Sequence, residues 1–185
     1  MRTLNHELIA PGLTGAPCNE AEALGAAVWL WTHSASHREL PLHALHQLLL
    51  PAIHHRQFAV VSEGGRPVFY LSWARFDADA EARYLCRSPF DMPDADWTAG
   101  DRMWVLDWVA PFGHTRAMSQ LVLGRLFPDR CFRALYHRGN DKGLQVRRFH
   151  GHALLQAEAR AWFAAHPVAL PATRPLSACP SRISQ

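Results

Sequence analysis

The sequence predicts an α/β (α+β) fold, a single domain whose mixed, mostly antiparallel sheet is flanked by helices. Helical and strand-like apolar patterns alternate along the 185 residues, which are enough for one domain with a buried core. One strand-like run, residues 102–109, is apolar on both faces and is therefore expected at the centre of the sheet. The sequence contains no Gly-rich phosphate loop, which argues against nucleotide binding of the familiar kinds.

Two helices are predicted in the first part of the chain. Residues 1–18 are spaced by Pro and Gly and are expected to form a loose N-terminal segment. Asn19 has the features of an N-cap, with a glutamate three positions later, and predicts a helix over residues 20–31. A second helix is predicted over residues 42–50, ended by Pro51. The residues expected to be buried along the two helices are Leu24, Ala27, Val28, Trp31, Leu42, Leu45 and Leu49.

A β-hairpin is the clearest local pattern of the chain. Residues 57–62 and 68–76 read as strands, and the Glu-Gly-Gly-Arg sequence at 63–66 is typical of the turn between them. Residues 77–86 fit either a short helix or a further strand, and the Pro-rich and Asp-rich stretch at 88–100 predicts a loop.

Strands and helices alternate in the second part of the chain. The domain is placed at residues 19–166, and the Pro-rich and Ser-rich residues 167–185 predict a mobile C-terminal tail. The predicted elements are the strand at 102–109, a helix at 115–127, a strand at 131–137, a turn at 139–143, a strand at 144–149 and a helix at 153–165.

The composition indicates a reducing compartment. The four cysteines are scattered without paired spacing, so free thiols and a cytoplasmic location are expected. No secretory signal is visible, and no apolar run approaches the length of a transmembrane segment. A net charge of +3 suits an acidic partner, such as a carrier protein or nucleic acid, but is too small to indicate either of them. No nucleic-acid partner is expected.

Asp107 is a charged residue on an apolar face of the predicted central strand. It shares one strand face with Met103, Val105 and Val109, where an unpaired carboxylate would cost several kcal/mol or become protonated. Such a residue either binds backbone N–H groups or a cation such as Arg102, or takes part in chemistry.

Four further side chains are candidates for a site. His37 lies in a Ser-rich loop and is either a surface histidine or a general base. Ser34 and Ser36 have the chemistry to complete a Ser/His/Asp arrangement, although no Gly-x-Ser-x-Gly elbow surrounds them and loop hydroxyls commonly cap helices. Tyr70 lies in the middle of a predicted strand, where a core position is the simpler interpretation.

Histidine pairs and a basic cluster suggest other kinds of site. His33 with His37, and His43 with His46, are spaced for one helix face, but the glutamate of His-Glu-x-x-His is missing and no metal is expected. Five basic residues surround the last two strands and form either a solvated face or a dock for an acidic protein: Arg133, Arg138, Lys142, Arg147 and Arg148.

Several long stretches between Leu24 and Gly151 match the sequence pattern of one known protein family. One of them is the run Asp107-Trp108-Val109-Ala110-Pro111-Phe112-Gly113. Any one stretch alone is a weak signal, but together they are highly specific. The other matching segments are Leu24-Gly25, Val28-Trp29-Leu30-Trp31, Ser34, His37-Arg38, Pro41, Leu50-Pro51-Ala52-Ile53, Gln57, Pro67-Val68, Tyr70, Ser72-Trp73-Ala74, Asp96-Trp97, Gly100-Asp101-Arg102 and Trp104. Together these segments resemble the RTX-toxin-activating lysine acyltransferases. The chain departs from that family at Ala35, where Pro is common, and at Leu40, where an aromatic is common, and it matches poorly after Gly151.

The resemblance implies a GNAT-like fold, often homodimeric, and no bound cofactor. It implies an acyl donor carried as a thioester on acyl carrier protein, and acceptor lysines inside a partner RTX protoxin. It also implies that His37 and Asp107 are the essential residues, with Ser34 and Tyr70 in possible supporting roles. The sequence leaves the cofactor-binding residues unknown.

A mechanism follows for such a reaction. We expect His37 to act as general base on the lysine amine, with Asp107 orienting it. The two side chains should then face one cleft near the strand end at Pro111. Backbone N–H groups near the strand end at residues 109–113 are expected to bind the thioester oxyanion. The apolar sheet faces and the tryptophan cluster are expected to hold the fatty chain. The alternatives are a route through an acylated Ser34 or His37, and a non-catalytic chaperone of the same fold that binds acyl carrier or toxin.

Overall fold

Within the residues described by this computed structural model, 6–138 and 141–169, six strands form one sheet in the order β1-β2-β3-β4-β5-β6. At residues 6, 137, 138 and 141–144 the backbone alone is described. The strands are β1 (His6–Ile9), β2 (Phe58–Glu63), β3 (Arg66–Phe76), β4 (Arg102–Val109), β5 (Cys131–Arg138) and β6 (Asp141–His150). The β4–β5 pair is parallel and the pairs β1–β2, β2–β3 and β5–β6 are antiparallel, which confirms the predicted mixed, mostly antiparallel sheet.

The helices follow the sequence prediction except near the N-terminus and near Pro51. None of those in the described part of the chain is long and apolar enough to cross a membrane. The α-helices are α1 (Pro11–Thr14), α2 (Glu20–Thr32), α3 (Leu50–His54), α4 (Ala78–Cys86), α5 (Thr115–Leu121) and α6 (Gln156–Ala165). Two π-helical turns, Leu45–Leu49 and Val122–Leu126, and two 3₁₀ turns, Pro89–Asp91 and Asp94–Thr98, complete the set.

By its internal contacts the chain divides into two units. One unit comprises Met1–Trp73 and Asp107–Gln120, and the other comprises Ala74–Leu106 and Leu121–Gln185. The bounds 19–166 for the domain remain a prediction.

The N-terminal segment of the first unit is ordered where the sequence predicts a loose chain. β1 pairs antiparallel with β2, with His6 opposite Glu63. The short helix α1 follows and ends at Gly15, which has a φ of 70°. The prediction of a loose segment is wrong for residues 6–14, because strand pairing with a partner far along the chain leaves little local signal.

Helix α2 begins where its N-cap predicts. The Asn19 side chain accepts hydrogen bonds from the backbone N–H groups of Ala21 and Glu22. The helix packs against β2 and α3. Its buried residues are Ala23, Ala27, Leu30 and Trp31, so Leu24 and Val28, which the sequence placed in the core, are only half-buried.

Pro51 does not end the second predicted helix. The π-helical turn Leu45–Leu49 passes directly into α3, and Pro51 lies in the first turn of α3, where its missing N–H costs no hydrogen bond. Leu42, predicted to be buried, is 82% exposed because it precedes the helical turns.

The predicted hairpin is confirmed as β2 and β3. Gly64 and Gly65 both have positive φ angles, 56° and 75°, as the two central residues of a type I′ turn require. The register shifts between Val61 and Ser62, which marks a β-bulge.

Glu81 is the centre of a buried ionic cluster in the second unit. Residues 77–86, for which the sequence left helix and strand open, form α4, and its Glu81 side chain is fully buried. Its Oε1 accepts hydrogen bonds from Trp104 Nε1 at 2.8 Å and Arg133 Nη1 at 3.0 Å. Its Oε2 accepts a hydrogen bond from Arg102 Nη1 at 2.7 Å. The single carboxylate of Glu81 therefore pairs with both guanidinium groups, and the Arg133 group is fully buried together with it.

Arg133 corrects the prediction of a basic surface cluster. Its side chain is fully buried, and burial lowers the pKa of its guanidinium while the Glu81 carboxylate opposes that change. Arg133 therefore belongs to neither a solvated face nor an exposed dock. The sequence could not reveal this because Glu81, its partner, lies far away in the chain.

The cluster also holds the chain after α6. Arg102 Nη1 donates to the carbonyl of Pro167 at 2.6 Å, and Arg133 Nη2 donates to the carbonyl of His166. The backbone N–H of Ala169 donates to Glu81 at 2.8 Å. The first three residues of the predicted mobile tail are therefore fixed, whereas residues 170–185 lie outside the described residues, as do residues 139 and 140 of the predicted turn.

Candidate active site

Asp107 and His37 meet in the first unit. The Oδ1 atom of Asp107, near the end of β4, lies 3.0 Å from Nε2 of His37. The two side chains are 17% (His37) and 15% (Asp107) exposed, so both are mostly withdrawn from water while still reachable. A carboxylate and an imidazole at this distance share a hydrogen bond whether the imidazole is neutral or charged.

The segment after α2 places His37 beside a serine. The backbone N–H of Ser34 donates to the carbonyl of Trp31, and the N–H of His37 donates to the carbonyl of Ser34. These successive turns bring Ser34 Oγ to 2.7 Å from Nδ1 of His37, with Ser36 Oγ at 3.2 Å from the same nitrogen. A serine, a histidine and an aspartate are thus joined in one chain of contacts.

The contacts assign a separate role to each ring nitrogen of His37. A carboxylate only accepts hydrogen bonds, so Nε2 carries a proton and donates it to Asp107. In the neutral ring Nδ1 is then the free base, and it accepts a hydrogen bond from the hydroxyl of Ser34. Any proton that His37 removes from a substrate must therefore arrive at Nδ1.

The electrostatic surroundings favour the charged form of His37. Burial on its own lowers the pKa of His37, but the charge of Asp107 and the hydrogen bond to it raise the pKa, and the net result is a pKa above the usual 6.5. Asp107 therefore stabilises the imidazolium that proton abstraction would form.

Trp31 is a partner of the site that the sequence did not indicate. Its indole Nε1–H donates to Oδ2 of Asp107 at 2.9 Å, and its ring lies 5.0 Å from the imidazole of His37, measured between centroids. The sequence predicted only that Trp31 is buried. One sequence signal could have indicated this contact. A buried indole N–H needs an acceptor, and the carboxylate of Asp107, also expected to be buried, needs donors.

Tyr70 lies close to the pair but inside the core. It is fully buried on β3, and burial, then the nearby Asp107 charge, raise the pKa of its phenol, with Ser72 opposing through a weaker effect. Tyr70 therefore stays protonated, and its supporting role remains a prediction.

The other candidates do not join this site. Arg102, considered as a partner of Asp107, binds Glu81 instead. The ring of His33 packs against Trp29 at 4.3 Å and against Phe112 at 5.3 Å. Among the side chains of the described residues there is no group of three or more His, Cys, Asp or Glu positioned to hold a metal ion.

Comparison with known proteins now identifies the family. The model of the RTX toxin acyltransferase family matches residues 16–150, which include Ser34, His37 and Asp107. This chain belongs to the RTX toxin acyltransferase family. It is accordingly an acyltransferase, and the match ends at residue 150, where the sequence resemblance also fades.

Individual relatives agree with this assignment. The chain is 37% identical to the RTX-I toxin-activating lysine-acyltransferase ApxIC of Actinobacillus pleuropneumoniae, over 72% of this chain and 76% of the relative. It is 37% identical to the protein-lysine palmitoyltransferase CyaC of Bordetella bronchiseptica, over 82% of both chains. It is also 37% identical to a protein-lysine myristoyltransferase HlyC of Escherichia coli, over 72% of this chain and 77% of that one.

Among solved structures, the loading GNATL domain of CurA from Lyngbya majuscula superposes with a TM-score of 0.47 at 11% identity, covering 73% of this chain and 66% of that domain.

Proposed function

We propose that this chain moves a fatty acyl group from acyl carrier protein to the ε-amine of internal lysines in an RTX protoxin, and thereby activates the toxin. Membership of the family supports acyl transfer, and the names of the relatives support lysine as the acceptor. The observation that carries the proposal is the His37–Asp107 pair, with Nε2 of His37 3.0 Å from Oδ1 of Asp107.

The attacking lysine must lose two protons, the first because it is almost entirely an ammonium ion near neutral pH and the second because the amide nitrogen keeps only one hydrogen. With a reference pKa of about 10.4, only about 0.1% or less of a lysine amine is neutral at pH 7. The bound ammonium loses one proton to solvent, and the neutral amine attacks the thioester carbonyl carbon. The C–N bond forms, Nδ1 of His37 takes the second amine proton, the C–S bond breaks, and the imidazolium returns that proton to the departing thiolate. The products are an amide and the free thiol of the carrier.

Ser34 stands between the substrate and the proposed base. Because its hydroxyl lies 2.7 Å from Nδ1, an incoming amine either displaces this hydroxyl or passes its proton through it. The same contact supports a second route, in which His37 deprotonates Ser34 and the acyl group rests on Ser34 before it moves to lysine. We favour direct transfer, because no Gly-x-Ser-x-Gly elbow presents Ser34.

The remaining features of the proposal concern partners and setting. The donor is carried on acyl carrier protein, the partner is an RTX protoxin, and the enzyme acts as a homodimer in the cytoplasm without a bound cofactor. The mild positive charge of +3 is compatible with an acidic carrier protein. Light scattering of the purified protein tests the dimer, and side-by-side incubation with acyl carrier protein and acyl-CoA thioesters tests the donor.

The experiment that tests the reaction is co-expression with acyl carrier protein and a candidate protoxin. Intact mass of the toxin should increase by one or more fatty acyl groups with the wild-type protein and remain unchanged with His37→Ala. His33→Ala, four residues earlier on an exposed ring, is the matched control and should acylate as wild type does. Acylation by His37→Ala at the wild-type rate would show that His37 is not the base. Binding of carrier or toxin without any acylation by the wild type would favour the chaperone alternative.

A further inference from the structure

One aromatic side chain contacts both members of the proposed catalytic pair. The edge of the Trp31 indole donates its Nε1–H to Oδ2 of Asp107 at 2.9 Å. Its ring lies 5.0 Å from the His37 ring between centroids, with the two planes tilted by 31°. Trp31 is 4% exposed and lies in the last turn of α2, which ends at Thr32.

These contacts fix the plane of the carboxylate. Oδ1 of Asp107 accepts from His37 and Oδ2 accepts from Trp31, so each oxygen has its own donor. With a single donor, the carboxylate would be free to rotate about its last bond and the lone pair of Oδ1 would leave the direction of Nε2. The buried indole N–H also needs this acceptor, so the arrangement satisfies both groups at once.

We infer that Trp31 is a positioning residue for the proposed acyl transfer, holding the Asp107 carboxylate so that Nε2 of His37 stays engaged and Nδ1 faces the substrate. This inference rests on the proposed function of the pair. The ring of Trp31 adds a second effect, because an aromatic face beside an imidazolium stabilises the positive charge.

A tryptophan that only fills space would behave differently. Replacement by phenylalanine keeps an aromatic ring in the core and removes the N–H donor. A pure packing role therefore predicts some loss of stability and an unchanged dependence of the rate on pH. A positioning role predicts that the pH dependence itself changes, because the pKa of His37 depends on how Asp107 faces it.

The test compares Trp31→Phe with Trp29→Phe, a substitution two residues earlier on the same helix. Trp29 packs against His33 and Phe112 and serves as the matched control. We expect kcat/KM of Trp31→Phe to fall about 10-fold, the size of one hydrogen bond to a charged group. The acid limb of its pH profile should move to lower pH, since His37 loses a fixed carboxylate while its burial remains. The acid limb of Trp29→Phe should stay in place. An unmoved acid limb in a folded, active Trp31→Phe protein would overturn the inference.

A second measurement does not depend on activity or on the folding of Trp31→Phe. In wild-type protein with a ¹⁵N-labelled indole, the Nε1–H resonance of Trp31 should titrate with the same midpoint as His37. It should shift strongly upfield in Asp107→Asn, and insensitivity of this resonance to Asp107→Asn would overturn the inference. Absence of lysine acylation by the wild type would instead overturn the proposed function, while the contact measured by the indole resonance would stand.

Discussion

The hydroxyl of Ser34 lies 2.7 Å from Nδ1 of His37, on the side of the imidazole opposite to Asp107. This relationship places the Ser34 hydroxyl in contact with the ring nitrogen that is the proposed base. It also makes the function of Ser34 measurable, since direct transfer and an acylated Ser34 predict different products.

Ser34→Ala should lower kcat/KM by about 10-fold, because it removes one hydrogen bond to the charged imidazolium but leaves the base in place. Steady-state acylation of the protoxin measures this loss. Ser36→Ala is the control, with a smaller expected loss since Ser36 lies 3.2 Å from the same nitrogen. Inactivity of Ser34→Ala as complete as that of His37→Ala, together with a mass adduct on Ser34 in enzyme mixed with acyl carrier alone, would contradict direct transfer.

Asp107→Asn should lower the pKa of His37. The wild-type pKa lies above 6.5 because the charge and hydrogen bond of Asp107 outweigh burial, and removing the charge leaves burial to act alone. NMR titration of labelled histidine should therefore place the His37 midpoint below 6.5 in the variant and above it in the wild type. The rate should fall as well, since general-base assistance is worth about 10²–10⁴-fold when correctly oriented. A His37 midpoint that does not move would show that the Asp107 charge is not what raises it.

The free energy of unfolding should carry a pH dependence that belongs to His37. A folded-state pKa raised above the unfolded value of about 6.5 stabilises the protein fully below that value, and the stabilisation is lost as pH rises through the folded pKa. Urea denaturation at pH values on either side of this window measures the loss. His37→Gln should remove this component of the pH dependence. If the free energy of unfolding of His37→Gln changes with pH as steeply as that of the wild type, the pH dependence belongs to other groups.

Glu81→Gln should destabilise the second unit. Glu81 is fully buried and compensates Arg102 and Arg133, and breaking a buried ion pair from one side costs about 3–5 kcal/mol. Chemical denaturation measures the loss, and Glu39→Gln is the control because Glu39 pairs with Arg38 at the surface, with 83% of its side chain exposed. Equal denaturation midpoints for Glu81→Gln and the wild type would mean that the charge of Glu81 adds no stability beyond that of neutral hydrogen bonds in the same place. A variant too unstable to purify can be replaced by Arg102→Met, for which a smaller loss is expected because Arg133 still compensates Glu81.

Local signals were sufficient where structure depends on neighbouring residues. Asn19 caps α2 through its own side chain, and Gly64 and Gly65 form the hairpin turn because both tolerate positive φ. The signals failed where a distant partner decides. β1 forms because it pairs with β2, and Arg133 is buried because it forms an ion pair with the buried Glu81.

By itself, the sequence determined the mixed sheet, the helices and hairpin that build it, and the family to which the chain belongs. It also made His37, Asp107 and Ser34 candidates for a site, and the resemblance to the family then selected His37 and Asp107 as the essential residues. Only the tertiary structure decided that these side chains touch, that Nδ1 and not Nε2 of His37 is the free base, and that Trp31 holds the second carboxylate oxygen. The physical reason is that hydrogen bonds are directional over about 3 Å, and no periodicity in a sequence encodes the direction in which a distant side chain points.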